Sequence, residues 1–174
     1  MGMTVYFTSD QHFGHAAARG FYSRRFASTA DMDNQMIAYW NSVVSPTDEL
    51  WHLGDFAVRQ KPERISHLLK LLHGRKHLIA GNNDNSAVRE SGGWVSVQAY
   101  AEVNVDDVRL ILCHYPFRSW RDMAKGSINL HGHSHGRLKP MPRQFDVGVD
   151  VRGFWPVTLD ELLSAQVQRA KLDH

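Results

Sequence analysis

The stretch SINLHGHSH, residues 127–135, reads as a short β-strand that runs into three histidines at alternate positions. These histidines are His131, His133 and His135, and only glycine and serine separate them. Glycine lets the backbone approach a ligand closely, because it has no side chain and accepts conformations that other residues avoid. Imidazole is the commonest metal ligand among side chains and titrates near neutral pH. The stretch therefore predicts a metal or catalytic site at the end of a strand.

Four other apolar runs lead to side chains of the same kind. The runs begin near residues 3, 49, 76 and 108, and Asp, Asn or His follows each of them. In α/β proteins, ligands bind outside the carboxyl ends of the strands. We therefore expect one rim that carries seven side chains, which are Asp10, His12, Asp55, Asn82, His114, His133 and His135.

The remaining segments complete an α/β pattern. The predicted elements are helices over 31–44, 61–74 and 158–171, a hairpin over 100–116 and a late strand over 145–151. Asp31 is the expected N-cap of the first helix, and Pro62 stands in the first turn of the second. The hairpin is expected to turn at Asp106 and Asp107. Strands that alternate with helices predict the α/β class.

Composition sets the broad limits. The chain has 174 residues, of which 43% are hydrophobic, and this predicts a single domain over residues 1–174. Its one cysteine, Cys113, cannot form an internal disulfide, which favours a cytoplasmic location. No apolar run reaches the roughly 18 residues that a transmembrane helix needs, so no membrane partner is expected. The formal net charge of +2 gives no indication of nucleic-acid binding.

The seven side chains of the rim also indicate which ions they would bind. They comprise two aspartates, four histidines and one asparagine, without a thiolate. This donor set disfavours a structural zinc site and suits Mn, Fe, Zn, Ni or Co. Seven side chains exceed the need of one tetrahedral ion, so we expect two divalent ions about 3.5–4 Å apart that share a carboxylate. Such a pair clamps a phosphate and generates a hydroxide nucleophile at neutral pH.

The order of the motifs adds a family to this chemistry. The motifs are Asp10-Gln11-His12, Gly54-Asp55, Gly81-Asn82-Asn83-Asp84, His114 and Gly132-His133-Ser134-His135. In this order they resemble the motif set of the calcineurin-like metallophosphoesterases, and the resemblance covers residues 4 to about 136. It implies a four-layer α/β/β/α sandwich of two mixed sheets flanked by helices. It also implies a hydrolase of small phosphodiesters or phosphomonoesters that acts through a metal-bound hydroxide, with manganese among the expected ions.

The resemblance divides the rim between two ions. The first ion would be held by Asp10, His12, Asp55 and His135. The second would be held by Asp55, Asn82, His114 and His133. Asp55 would thus bridge the pair, and His133 and His135 would serve different ions from one tight turn. The third histidine of the stretch, His131, lies outside the motif and is expected either to have a structural role or to support one of the ligands.

One position departs from the family pattern. The resemblance would place a histidine at position 83, where it acts as general acid with Asp84 as its partner. Asn83 cannot supply a proton in this way. We therefore expect an enzyme that requires good leaving groups or takes its proton from another acid. The nearest candidate is His15, three positions after His12.

Three arginines are candidates for contact with the phosphate of a small substrate. They are Arg118, Arg19 and Arg137, of which Arg137 closely follows the last predicted ligand. A guanidinium can hold a phosphate through two hydrogen bonds. For each of them a solvated surface position is the alternative.

Two other functions stay open at this stage. Asn83 also fits a catalytically weakened metal-binding module that serves as a scaffold for a protein partner. The complete set of ligands argues against that alternative. A nuclease would need a basic groove lined by aromatic side chains, and the net charge of +2 gives no sign of one. The oligomeric state is not predicted.

Overall fold

The computed structural model describes the backbone of residues 2–172 and the side chains of residues 2–166. In chain order, the strands and α-helices of this part are β1 Val5–Thr8, α1 Ala18–Phe21, α2 Thr29–Val43, β2 Glu49–His52, α3 Pro62–Leu71, β3 Arg75–Ile79, α4 Ser86–Arg89, β4 Ser96–Gln98, β5 Tyr100–Val105, β6 Val108–Cys113, β7 Ile128–His131, β8 Gln144–Asp146 and α5 Leu159–Leu172. Short 3₁₀ turns at Met123–Lys125 and Val149–Val151 precede β7 and α5.

The strands form two four-stranded sheets. The first has the order β1-β2-β3-β4, and all of its neighbours pair in parallel. The second has the order β5-β6-β7-β8, in which β5 and β6 are antiparallel and the other pairs are parallel. The prediction of an α/β fold with two sheets flanked by helices is confirmed.

The first sheet differs from the prediction of two mixed sheets, because its four strands are all parallel. The reason lies in its connections, since α2, α3 and α4 each link one strand to the next. A helical crossover returns the chain in the same direction and therefore gives a parallel pair. The second sheet is mixed because residues 106–107 close a tight hairpin between β5 and β6, as predicted.

Two apolar cores hold the layers together. Helices α2 and α3 cover one face of the first sheet, and the residues buried there include Met32, Met36, Trp40, Leu50, Ile65, Leu68 and Leu78. The other face packs against the second sheet through Phe7, Trp51, Leu53, Ile79, Leu110, Leu112 and Leu130. On the outer face of the second sheet lies the segment 115–127, where the Phe117 N–H donates to Asn129 at 3.2 Å. This segment includes the 3₁₀ turn Met123–Lys125, and Leu159 and Leu162 of α5 join the core between the sheets.

The first helix begins earlier than its sequence predicts. Ser28, not Asp31, is the N-cap of α2, and its hydroxyl accepts from the Asp31 N–H at 3.0 Å. The Asp31 carboxylate in turn accepts from the Ala27 N–H at 3.0 Å. These two hydrogen bonds satisfy two backbone donors at the start of α2, so the prediction of Asp31 as N-cap is wrong by three positions.

The strands position the rim. Because β1, β2 and β3 run parallel, as do β6 and β7, their carboxyl ends lie at one edge of the sandwich. The strands end before the predicted ligands, which lie in the loops that follow. Across residues 2–172, none of the helices combines the length and the apolar character that a bilayer-spanning segment requires.

Candidate metal centre

Hydrogen bonds among backbone groups and carboxylates join the five loops at this edge. The Asp10 N–H donates to the Gly54 carbonyl at 2.9 Å, which joins the loops after β1 and β2. The Gly132 N–H donates to the His114 carbonyl at 3.0 Å. The two sheets meet where the His133 N–H donates to the Asp10 carboxylate at 3.0 Å. The predicted rim is thus a single cluster of loops.

Three predicted ligands form the first group. One ligand atom from each of Asp10, His12 and His135 lies within 4.8 Å of the other two. The Asp10 Oδ1 is 3.9 Å from the His12 Nε2 and 3.7 Å from the His135 Nε2. These separations allow one ion to contact all three side chains.

A second group lies beside the first. It contains Asp10, Asp55 and His114, whose ligand atoms are also within 4.8 Å of one another. The Asn82 amide oxygen adds a fourth donor, 3.1 Å from the His114 Nε2. The His133 imidazole is more exposed, and its ring centroid is 5.1 Å from that of His114.

Asp55 lies between the two groups. Its Oδ2 is 3.6 Å from the His12 Nε2, and its Oδ1 is 3.7 Å from the His114 Nε2. A carboxylate with one oxygen toward each group is placed to bridge two ions. Asp10 also belongs to both groups, so the two candidate sites are close enough to share a carboxylate.

His12 provides a test of whether these residues fit metal ions. The side chain is buried, and neither Nδ1 nor Nε2 has a hydrogen-bond partner among the described residues. Buried imidazole nitrogens are normally hydrogen-bonded, because an unpaired polar group costs free energy away from water. A divalent cation between His12, Asp10 and Asp55 would satisfy the Nε2 and balance the carboxylates. The donor set therefore fits the ions that it was expected to hold.

The protonation states favour metal binding. Burial, followed by the charge of Arg24, lowers the pKa of His12 to about 2, so its imidazole is neutral. Burial also lowers the pKa of His114. Burial raises the pKa of Asp10 well above its usual range, and the neighbouring Asp55 carboxylate adds to this shift. Neutral imidazoles are ready to ligate, and a bound cation would oppose the raised pKa of Asp10 by favouring its ionised form.

The backbone at these ligands is unusual. Five of the predicted ligands have positive φ angles: Asp10 at 64°, His12 at 53°, Asp55 at 59°, His133 at 63° and His135 at 46°. A non-glycine residue in this region costs roughly 1 kcal/mol or more, and such residues cluster at functional sites. The surrounding hydrogen bonds hold the loops in this conformation.

Two of the predicted catalytic residues, Asn83 and Asp84, form hydrogen bonds that hold the loops together. Asn83 donates from its backbone N–H to the Asp55 Oδ1 at 2.8 Å and from its side-chain amide to Oδ2 at 2.6 Å. Asp84 is buried and accepts from the N–H groups of Asp55, Phe56 and Gly81 at 2.8–2.9 Å. Asn83 thus orients Asp55, and Asp84 joins the loops after β2 and β3.

The third, His15, stands at the side of the first group. Its ring centroid is 5.6 Å from that of His12, and its Nδ1 is buried without a hydrogen-bond partner among the described residues. Burial and the charges of Arg24 and Arg59 lower its pKa. The His15 imidazole therefore lies next to the predicted ligands without belonging to either group, and its lowered pKa makes it a stronger acid when it is protonated.

The three candidate arginines lie in different surroundings. Arg19 donates to the carbonyls of Phe26 and Ala27, at 2.6–3.0 Å, and so holds the turn before α2. Arg118 is exposed on the loop after His114. Arg137 donates to the Phe21 carbonyl at 2.9 Å and borders a 220 Å³ cavity that also contains His135. Of the three, Arg137 has the clearest connection to the first group.

The remaining histidine of the opening stretch, His131, is buried, and its Nδ1 donates to the Gly132 carbonyl at 2.9 Å. His52 is also buried and accepts from the Gly54 N–H at 3.1 Å, while its Nε2 donates to the Gln11 side chain at 2.5 Å. Both thus support the loops that carry the ligands.

Sequence reasoning did not identify three residues around His135. Asp150 accepts a hydrogen bond from the His135 Nδ1, Arg24 pairs with Asp150, and Tyr22 stacks on the His135 ring. Asp150 falls within a stretch that predicts a strand, and Tyr22 and Arg24 fall in no motif. A buried ion pair that joins residues 126 positions apart has no local signal in a single sequence.

Several known proteins resemble this chain. A family model described as the calcineurin-like phosphoesterase superfamily domain matches residues 3–145. An uncharacterized protein of Methanocaldococcus jannaschii is 28% identical over 176 residues, which cover 97% of this chain and 93% of that protein. The gene 66 protein of Mycobacterium phage D29 is 32% identical over 177 residues, which cover 84% of this chain and 87% of that protein.

Among solved structures, a protein of unknown function from Aquifex aeolicus has the same fold. Its TM-score is 0.74 at 21% identity, over 94% of this chain and 100% of that chain.

Proposed function

Because this chain belongs to the calcineurin-like phosphoesterase superfamily, as the match over residues 3–145 shows, we propose that it is a two-metal phosphoester hydrolase. Its substrates are small phosphodiesters or phosphomonoesters. The observation that carries this proposal is the buried His12 imidazole, which lies between two carboxylates without a hydrogen-bond partner among the described residues.

The two candidate groups would hold the ions. Asp10, His12 and His135 would hold the first, with Asp55 as the bridge. Asp55, Asn82, His114 and His133 would hold the second. When bound, two divalent ions such as Mn²⁺ would neutralise the phosphate and supply a hydroxide nucleophile at neutral pH.

The protein contributes orientation. The His114 Nδ1 donates to the Leu53 carbonyl at 2.7 Å, so its Nε2 lone pair points into the cluster. Asn83 fixes both oxygens of Asp55. Groups held in this way need little rearrangement when substrate arrives, and preorganisation of this kind is a large part of catalysis.

The proton for the leaving group needs a donor other than residue 83. The Asn83 amide has no proton to transfer, and it is bonded to Asp55. We assign this role to His15, which is close to His12 and outside both ligand groups. Arg137, at the edge of the cavity beside His135, is the proposed contact for a substrate phosphate oxygen.

Metal-stripped protein that is reloaded with Mn²⁺ tests this function directly. We expect hydrolysis of bis(4-nitrophenyl) phosphate, 4-nitrophenyl phosphate or both, and the ratio of the two rates gives the substrate class. The Asp55→Asn variant is the control, since it removes the bridging charge and should abolish turnover. Absence of turnover with any divalent metal would contradict the proposal.

A catalytically weakened scaffold is the second candidate, and the position of Asn83 favours it. At that position the chain has a side chain that holds Asp55 and cannot donate a proton to a leaving group. A scaffold would bind both ions and hydrolyse neither ester. The same experiment therefore separates the two functions.

A further inference from the structure

Arg24 links the two loops that supply the first ligand group. Its guanidinium is buried and donates to the carbonyls of Asp10 and Gln11, at 2.6 and 2.8 Å. It also makes a bidentate pair with Asp150, with both N–O distances at 2.8 Å. One side of the guanidinium thus holds the Asp10–His12 loop, and the other holds the carboxylate next to His135.

Asp150 transmits this contact to the metal ligand. The His135 Nδ1 donates to the Asp150 Oδ2 at 2.6 Å. A proton fixed on Nδ1 leaves the lone pair on Nε2, the nitrogen that is 3.7 Å from the Asp10 Oδ1. A carboxylate behind an imidazole selects the tautomer and increases its basicity toward a metal. The side chain of Asp150 therefore determines which nitrogen His135 offers.

Tyr22 fixes the ring from the side. Its ring is stacked on His135 with a centroid distance of 3.5 Å and an interplanar angle of 10°. The same ring is 5.3 Å from His12, and the Arg24 guanidinium is 5.1 Å from its centroid. The His135 imidazole can neither rotate nor tilt without losing the stack or the bond to Asp150.

The second ligand group has a different support. His114 donates to a backbone carbonyl, that of Leu53 at 2.7 Å, and its carboxylate neighbour Asp55 is held by Asn83. The contacts of Tyr22, Arg24 and Asp150 described above involve Asp10, Gln11, His12 and His135 only. Apart from Asp10, which belongs to both groups, the ligands of the two halves are thus positioned by separate sets of residues.

We propose that Tyr22, Arg24 and Asp150, together called the Arg24 bridge, are positioning residues that assemble the first metal site independently of the second. Loss of the bridge would weaken the binding of one ion and leave the affinity for the other unchanged. A paired buried charge is weak evidence for a contribution to stability, because desolvation offsets the attraction. The orientation of His135 and of the Asp10–His12 loop gives this pair a function at the metal site.

The test is a titration of metal-free protein with Mn²⁺. Calorimetry and the electron paramagnetic resonance signal of free Mn²⁺ measure the binding. In Asp150→Asn we expect the dissociation constant of one ion to rise about 10–100-fold, as for other partners of ligating histidines, while that of the other ion stays unchanged. The matched control is Asp48→Asn. Asp48 is also a buried carboxylate, but its oxygens accept from the N–H groups of Thr4 and Ser45, before β1 and β2. Both ions should bind this control as they bind the parent protein.

A folded Asp150→Asn protein that weakens both ions equally, or neither, would overturn the inference. If that variant does not fold, Tyr22 decides, because its ring is partly exposed. Tyr22→Ala should weaken one ion by about tenfold, whereas Tyr22→Phe, which keeps the stack, should not. An unchanged affinity in Tyr22→Ala would overturn the inference equally.

The inference rests on the metal-binding part of the proposed function, and the titration keeps the two apart. Parent protein that binds two ions but hydrolyses neither ester would contradict the proposed function and leave the Arg24 bridge standing. Parent protein that binds no Mn²⁺ would overturn both.

Discussion

At the scale of single residues, the site depends on imidazoles that are kept neutral by burial. His12 has a pKa of about 2, and burial also lowers the pKa values of His114 and His133. A protonated imidazole cannot bind a cation, so these shifts keep the site available for metal below neutral pH.

The same burial makes the stability of the metal-free protein depend on pH. Burial lowers the pKa of His52 from 6.5 to about 3 in the folded protein. Between these two pH values, His52 is protonated in the unfolded chain and neutral in the folded chain. Its contribution is therefore present above pH 6.5 and lost as the pH falls below it. Between pH 7 and pH 5 this amounts to about 2 kcal/mol of unfolding free energy.

Replacement of His52 by glutamine should remove this dependence. In His52→Gln the new side-chain amide could accept from Gly54 and donate to Gln11, as the imidazole does, without a group that titrates. The free energy of unfolding of the metal-free variant, measured with urea, should fall between pH 7 and pH 5 by about 2 kcal/mol less than that of the parent protein. His67→Gln, at an exposed position of α3, is the control. The prediction would be contradicted if the free energy of unfolding changed equally with pH in all three proteins.

Asn83 gives the second prediction at this scale. In Asn83→His a proton donor stands where the family pattern has one, so esters with poor leaving groups should gain most. We expect the ratio of alkyl to aryl phosphoester turnover to rise by at least about tenfold, within the range of general acid catalysis. Asn104→His, on the exposed face of β5, controls for the added imidazole. A constant ratio would show that the acid missing at position 83 does not limit turnover.

The seven predicted ligands could be identified from the sequence because each follows an apolar run and falls in an ordered motif. The structure brings these positions to one edge, although their assignment as ligands stays a prediction. Tyr22, Arg24 and Asp150 could not be identified in this way. Their contacts with His135 depend on the packing of distant segments, and no local pattern marks them.

At the scale of elements, the loops after the strands pack closely against one another at Gly132 and Gly81. A Cβ atom at Gly132 would lie 2.0 Å from the Ser9 Oγ and 2.4 Å from the Asp10 Oδ2. A Cβ atom at Gly81 would lie 2.4 Å from the Asp55 Oδ1. These glycines allow one loop to approach the carboxylates of another, and for Gly132 this agrees with the expectation from residues 127–135.

Gly132→Ala should therefore damage the site. Either Asp10 or the Gly132 loop must shift, and overpacking of this kind costs about 1–3 kcal/mol of unfolding free energy. We also expect fewer than two Mn²⁺ ions per chain by elemental analysis. Gly92→Ala is the matched control, because nothing lies within 4 Å of the added carbon. Full metal content in Gly132→Ala would contradict this account of the loop.

Helices and strands were predictable where their apolar periodicity is long, and less so at their ends. The predicted strand over 145–151 ends at Asp146 and continues into a 3₁₀ turn at Val149–Val151. There the Asp146 carboxylate accepts from the Gly148 N–H at 2.8 Å, which turns the chain out of the sheet. The three-residue strand β4 was not predicted, because it is too short to show a period.

At the scale of the whole molecule, the site joins the two sheets. Asp10, His12 and Asp55 follow strands of the first sheet, while His114, His133 and His135 follow strands of the second. The α/β class could be inferred from the alternation of elements, but the pairing of two separate sheets came from the family resemblance. The order of the strands within each sheet depends on long-range contacts that periodicity does not contain.

Removal of metal should therefore loosen the entire sandwich. An ion present at about 100 times its dissociation constant stabilises the folded state by about 2.7 kcal/mol. For a chain of this size, that corresponds to a fall in Tm of about 5–10 °C per ion when the protein is stripped. Calorimetry with and without Mn²⁺ measures this shift, and Asp55→Asn should show a smaller one. Equal Tm values for the stripped and loaded parent protein would indicate that no ion links the sheets.

The most direct measurement is turnover of an aryl phosphoester as a function of the number of Mn²⁺ ions bound per chain. The two-metal account predicts little hydrolysis with one ion and a steep rise as the second site fills. It also predicts none in Asp55→Asn at any loading. Turnover that reaches its maximum with one ion, or that is absent with two ions bound, would contradict the central claim.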